Sequence, residues 1–130
     1  MGFRSEELGR EIVDAAFAVH KELGPGLLES VYELCLADEL ISRGLGIRTQ
    51  VPVPLIYKER KLESGFRLDI LVENSIILEL KAVEGLAPVH TAQVLTYLRL
   101  SNLSLGFLIN FNEALIRDGI KRIVYNYKPF

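Results

Sequence analysis

Apolar residues Leu8, Ile12, Ala15, Ala16, Val19 and Leu23 recur at three- and four-residue steps. That spacing predicts a first helix with one apolar face. Ser5 stands where it can cap the helix, Glu6 and Glu7 suit its positive end, and Gly24-Pro25-Gly26 stops it. A second helix is predicted from about Leu28, with Val31, Tyr32, Cys35, Leu36 and Leu40 inward and Gly44 as its stop. The period then changes to two. Val51, Val53, Leu55 and Tyr57 alternate with Pro52 and Pro54 on the other parity, so this strand belongs at a sheet edge or contains a bulge. Residues 65–72 and 76–83 read as two more strands around Glu73-Asn74-Ser75. Pro88 opens a third helix with Ala92, Leu95 and Leu98 as core positions. Residues 103–111 form a short apolar strand suited to burial on both faces, and 119–127 a mixed, strand-like end. The order predicts the α/β class: a mixed β-sheet flanked by helices.

Composition narrows the possibilities. The 130 residues are 49% apolar and 25% charged, as expected of one globular domain spanning residues 1–130 with its own core. The formal net charge of −2 excludes a polycation that holds nucleic acid by bulk charge, but not a local basic patch. Lys121, Arg122 and Lys128 are candidates for such a patch, or an ordinary charged surface. Cys35 stands alone and reads as a small buried side chain rather than a nucleophile. Residues 1–7 lack the apolar core of a signal peptide, and Glu6 occupies the position where myristoylation wants Ser or Thr. No stretch approaches the roughly 20 apolar residues that span a membrane. A cytoplasmic protein with no membrane partner is therefore expected. Gly24-Pro25-Gly26 also lacks the Lys and Ser/Thr of a phosphate-cradling loop.

The chemistry turns on the register of the predicted hairpin. A two-residue turn at Asn74-Ser75 would set every charge against an apolar side chain. A three-residue loop, 73–75, instead pairs Leu68 with Leu80, Ile70 with Leu78 and Val72 with Ile76, a wholly apolar face. On the other face Asp69 then falls opposite Glu79, with Arg67 and Lys81 beside them. Two carboxylates at about 4 Å repel by roughly 4 kcal/mol at an effective dielectric near 20. A divalent cation reverses that repulsion, and Mg²⁺ often uses only one or two carboxylates. Lys81 is placed to orient or deprotonate a water, or to hold a phosphate. The competing reading is a solvated polar stripe in which Asp69 pairs with Arg67 or Lys81.

Asp69, followed ten residues later by Glu79-Leu80-Lys81, resembles the PD-(D/E)XK nuclease superfamily with its restriction-endonuclease-like fold. Leu68 stands where the motif's proline would be. Gly65-Phe66-Arg67-Leu68-Asp69 and Gln93-x-x-x-Tyr97 resemble the RecB-like branch, and residues 26–32, Gly-Leu-Leu-Glu-Ser-Val-Tyr, resemble the small GxxExxY family. The resemblance runs from the first helix through Asn110-Phe111-Asn112 to Lys121-Arg122-Ile123. It implies that Asp69, Glu79 and the main-chain carbonyl of Leu80 hold Mg²⁺ or Mn²⁺, with Glu29 as the helix-borne acidic residue and a further ligand candidate. It implies Lys81 as the catalytic lysine, with Gln93 and Tyr97 completing the site. The function implied is metal-dependent hydrolysis of phosphodiester bonds in nucleic acid, DNA ahead of RNA. The alternative is a noncatalytic module that binds nucleic acid or protein on a nuclease fold. A domain this small covers little of a duplex alone, which leaves room for a homodimer.

The residues taken singly keep their plainer readings. Glu29 near a helix start also suits the dipole, and Gln93 and Tyr97 at i, i+4 also suit a half-buried amphipathic pair. His20 and His90 read as helix-end capping or packing residues and stay outside the site.

Overall fold

Alternating and helical patterns resolve into two helices, a three-stranded stretch, a crossover helix and two final strands. The structure is a computed structural model that describes residues 2–130, Ser64 by its backbone alone. Its elements are α1 (Ser5–Leu23), α2 (Glu29–Ser42), β1 (Ile47–Tyr57), β2 (Arg60–Val72), β3 (Ile76–Lys81), α3 (Pro88–Ser101), β4 (Leu105–Asn110) and β5 (Ile120–Val124). The strands form one mixed sheet in the order β1-β2-β3-β4-β5. β3 and β4 run parallel, joined across α3, and every other neighbouring pair is antiparallel. This is the α/β, restriction-endonuclease-like arrangement expected.

The sheet divides two apolar cores. Leu8, Ile12, Ala15, Ala16 and Val19 of α1 and Tyr32, Leu36 and Leu40 of α2 cover one face, against Ile70, Leu78, Leu80, Phe107 and Ile109. Val94, Tyr97 and Leu98 of α3 cover the other, against Leu71, Ile77, Leu108 and Ile123. β3 and β4 lie between the cores and are buried almost throughout, which explains their continuous apolar runs.

Several expectations need correction. Ser5 does not cap α1. The N-cap is Arg4, without a side-chain bond, and Ser5 Oγ instead meets Tyr127 Oη at 2.9 Å and accepts the Phe130 N–H at 3.2 Å. Ala92 and Leu95 are exposed, and the inward face of α3 is Val94, Tyr97 and Leu98. This helix carries apolar residues on most sides, so periodicity alone cannot orient it. Cys35 is half-buried at the margin of the first core. β1 does lie at the sheet edge, and the bulge lies opposite it. Between the pairs Pro52–Arg67 and Pro54–Glu63, one residue of β1 faces three of β2, where Gly65 takes φ 77° at little steric cost.

Tyr32 ties the start of α2 to the sheet. Its buried ring stacks on Phe111 with centroids 4.6 Å apart. Its hydroxyl donates to the Gly24 carbonyl at 2.5 Å and accepts the Leu27 N–H at 3.1 Å. Tyr32→Phe is expected to cost about 1–2 kcal/mol, since it leaves both loop groups without that partner. Denaturant melts read this directly, and an unchanged midpoint would show that the loop holds itself.

Candidate active site

The three-residue register is observed, with Ile70 opposite Leu78, Leu71 opposite Ile77 and Val72 opposite Ile76. The ladder then stops, without the expected pairs of Asp69 with Glu79 and Leu68 with Leu80. Leu68 pairs with Val51 of β1 rather than with Leu80, and it packs into the α3 core while Ile70 belongs to the other. The strand changes face at Asp69, opposite the stretch of β1 where Gln50 takes φ 52°.

Where the ladder fails, the two carboxylates replace it. Asp69 Oδ2 accepts the Leu80 N–H at 2.8 Å, and Glu79 Oε1 accepts the Asp69 N–H at 3.2 Å. Each acid thus bonds the main chain of the opposing strand. Glu79 is only 3% exposed. Among the described residues no ion pair reaches Asp69, Glu79 or Lys81. Arg67 turns instead to the Gln50 carbonyl, 3.3 Å away. The polar-stripe arrangement, with Asp69 paired to Arg67 or Lys81, is not formed.

Burying two acids together raises both. Burial, and then the charge of Asp69, pushes Glu79 up to about 8. Burial also raises Asp69, opposed by the Leu80 N–H, the Lys81 charge and a side-chain hydrogen bond with Glu79. Glu29, the first residue of α2, lies in the same field. Its carboxyl is raised by burial, lowered by Lys81 and raised again by Asp69. Tyr97 is raised by burial and then by Glu79, and its hydroxyl accepts from Gln93 Nε2 at 3.0 Å. The helix-borne residues Glu29 and Tyr97, with Gln93 bonded to Tyr97, therefore converge on the acids of the hairpin. Lys81 is half-buried at the end of β3, its carbonyl accepting the Phe111 N–H at 2.9 Å.

Three residues of this region escaped the sequence reading. Glu33 is raised by burial, lowered by Gln50 and raised by Asp69 and Glu29, and Gln50 Nε2 donates to its Oε1 at 2.7 Å. The i, i+4 spacing of Glu29 and Glu33 was the available signal. Asn110, fully buried, donates to the Val83 carbonyl at 2.9 Å and accepts the Val83 N–H at 3.1 Å. It thereby pins the chain just beyond Lys81. His90 Nδ1 accepts the Ala87 N–H at 2.9 Å and His20 Nε2 meets the Glu113 carbonyl at 2.8 Å, so both serve the structural parts expected.

The donor set suits a hard divalent cation. Beyond their two main-chain bonds, the carboxyls of Asp69 and Glu79 share a hydrogen bond with each other. No group of three His, Cys, Asp or Glu side chains among the described residues is arranged to hold a metal, but Mg²⁺ can rest on two carboxylates, a carbonyl and waters. No helix among the described residues is long and apolar enough to cross a membrane.

No curated protein and no solved structure matches the chain. A sequence model of the PD-(D/E)XK nuclease superfamily matches residues 6–123, a span that contains every residue of the site. Fold, reciprocal carboxylates and sequence match agree: the chain belongs to the PD-(D/E)XK nuclease superfamily.

Proposed function

We propose that residues 1–130 form a single metal-dependent nuclease domain that hydrolyses phosphodiester bonds in nucleic acid, DNA ahead of RNA on superfamily analogy. Within the superfamily we place it in the GxxExxY family and near the RecB-like branch, on Gly26, Glu29 and Tyr32 and on Gln93 and Tyr97. One observation carries the reading. A carboxylate that is 3% exposed sits beside a second acid at a break in the ladder, with no ion pair among the described residues to neutralise either. Such a pair holds a proton up to about pH 8, a place that a cation would take.

In this reading Asp69 and Glu79 hold the metal with the Leu80 carbonyl. The N–H and C=O of one strand residue point to the same neighbour, so the carbonyl of Leu80 faces the gap where its N–H meets Asp69. Bound there, Mg²⁺ or Mn²⁺ supplies a Lewis acid for a phosphoryl oxygen and a source of hydroxide at neutral pH. Lys81 stabilises the charge that develops on the phosphoryl group and orients the attacking water. Glu29, whose carboxyl the Lys81 charge lowers, faces the same site. Tyr97, accepting from Gln93, keeps its own proton for a phosphate oxygen.

Incubation with single-stranded, duplex and branched DNA and with RNA tests this. Products are expected with Mg²⁺ or Mn²⁺ and none with EDTA. Tight binding without cleavage in any metal would favour the noncatalytic module.

A further inference from the structure

β2 pairs with β3 only over residues 70–72, whereas its pairing with β1 continues to Tyr57 opposite Arg60. Residues 56–63 are exposed at every position, whichever way they point. The far end of the β1–β2 ribbon therefore stands clear of both cores, although a lone two-stranded ribbon is marginal in water. Its composition suggests why it is kept. Ile56 is 60% exposed, Tyr57 52% and Phe66 51%, large apolar side chains that remain half open to solvent. Arg48, Lys58, Arg60, Lys61 and Arg67 outnumber Glu59, Glu63 and Asp69 along the ribbon, in a chain whose net charge is −2.

The bulge at Gly65 connects this ribbon to the site. It presents Phe66 with its ring centroid 6.1 Å from that of Tyr97, and Tyr97 reaches into the field of Glu79 and Asp69. A contact between aromatic rings thus links the ribbon to the carboxylates. A protein strand is a poor occupant, because Pro52 and Pro54 deprive the outer edge of β1 of N–H donors. Nucleic acid fits both features, since cations take phosphates and exposed rings take the faces of bases. A duplex hides those faces in its own stack. An unpaired strand offers them.

We propose that the β1–β2 ribbon is an arm for an unpaired nucleic-acid strand, with Lys58, Arg60 and Lys61 on phosphates and Tyr57 and Phe66 against bases, leading the strand to Asp69 and Glu79. The inference rests on the nuclease reading for its destination, but binding can be measured without catalysis. Fluorescence anisotropy in EDTA compares a labelled oligothymidylate with the same oligomer annealed to its complement. The wild type should bind the single strand more tightly. Replacing Lys58→Gln, Arg60→Gln and Lys61→Gln together should weaken single-strand binding at least about tenfold at low salt and flatten the log–log salt slope by about 2. Phe66→Ala should weaken it by about tenfold with little change of slope, as a lost stacking contact does. Thermal melts confirm that the variants are folded; exposed positions make that the expected result.

Equal affinity of both variants and the wild type, a wild-type preference for duplex, or no wild-type binding would each overturn the arm. Ribbon-dependent binding by a protein that cuts nothing would leave the arm standing and remove the nuclease reading. Metal-dependent cleavage with ribbon-independent binding would do the reverse.

Discussion

Lys81→Ala is expected to lower phosphodiester cleavage by about 10²–10³-fold, the usual cost of removing one preorganised charge from a transition state. Folding should survive the change. The main chain at Lys81 is held by its pairing opposite Asn110 and by the Phe111 N–H, neither of which uses the side chain. The loss should also reach beyond the lysine itself. Its charge lowers the carboxyls of Glu29, Asp69 and Glu79, so without it all three hold protons more firmly and the pair ionises less readily for a cation. Lys81→Arg should not restore full activity, because a planar fork replaces a compact ammonium. Single-turnover cleavage in Mg²⁺, beside binding in EDTA, separates chemistry from affinity. Full turnover by Lys81→Ala would remove it from the mechanism.

Glu79→Gln should stabilise the metal-free protein above neutral pH by on the order of 2 kcal/mol, raising its melting temperature by about 5–8 °C. The sign follows from proton uptake. Glu79 in the folded protein loses its proton at about 8, whereas in the unfolded chain it does so near 4.3. Between those limits the folded state holds the extra proton, so stability is greatest below about pH 4 and is lost as pH rises through 8. Gln removes that loss and keeps a carbonyl to accept the Asp69 N–H. Asp69→Asn should act in the same direction more weakly, since its amide oxygen can still accept from Leu80. Metal should reverse the ranking. The wild type should gain RT ln(1 + [M]/Kd), about 2.7 kcal/mol at a hundredfold excess, and the variants little. Thermal melts across pH, with EDTA and with Mg²⁺ or Mn²⁺, decide it. A Glu79→Gln protein that is less stable at high pH, beside a wild type indifferent to metal, would refute the assignment.

The hairpin register was legible because only one loop length put apolar side chains opposite one another at Ile70, Leu78, Val72 and Ile76. The outer half of the β1–β2 ribbon was not. Strand signals in a sequence come from one face being buried, and residues 56–63 bury neither. The pairing of Asp69 with Glu79 was anticipated by parity, but its form was not. Alternation cannot show that a ladder ends at Ile70 and that side chains then take its amides. Nor could it show that Gln50, at positive φ, would reach Glu33. The convergence of Glu29, Gln93 and Tyr97 came from resemblance to a family; their spacing alone was equally consistent with a dipole partner and an amphipathic pair.

The contacts of Ser5 bear on how the protein is made. α1 has no side-chain cap. The Ser5 N–H is satisfied by the Phe130 carbonyl at 2.8 Å, and its hydroxyl by Tyr127 and Phe130, 122 and 125 residues away along the chain. During vectorial synthesis α1 therefore waits, with its leading turn unfinished, until residues 127–130 have been made. Nascent chains stalled short of Tyr127 would carry an α1 that frays at its start, and emergence of residues 127–130 would lock that turn in place.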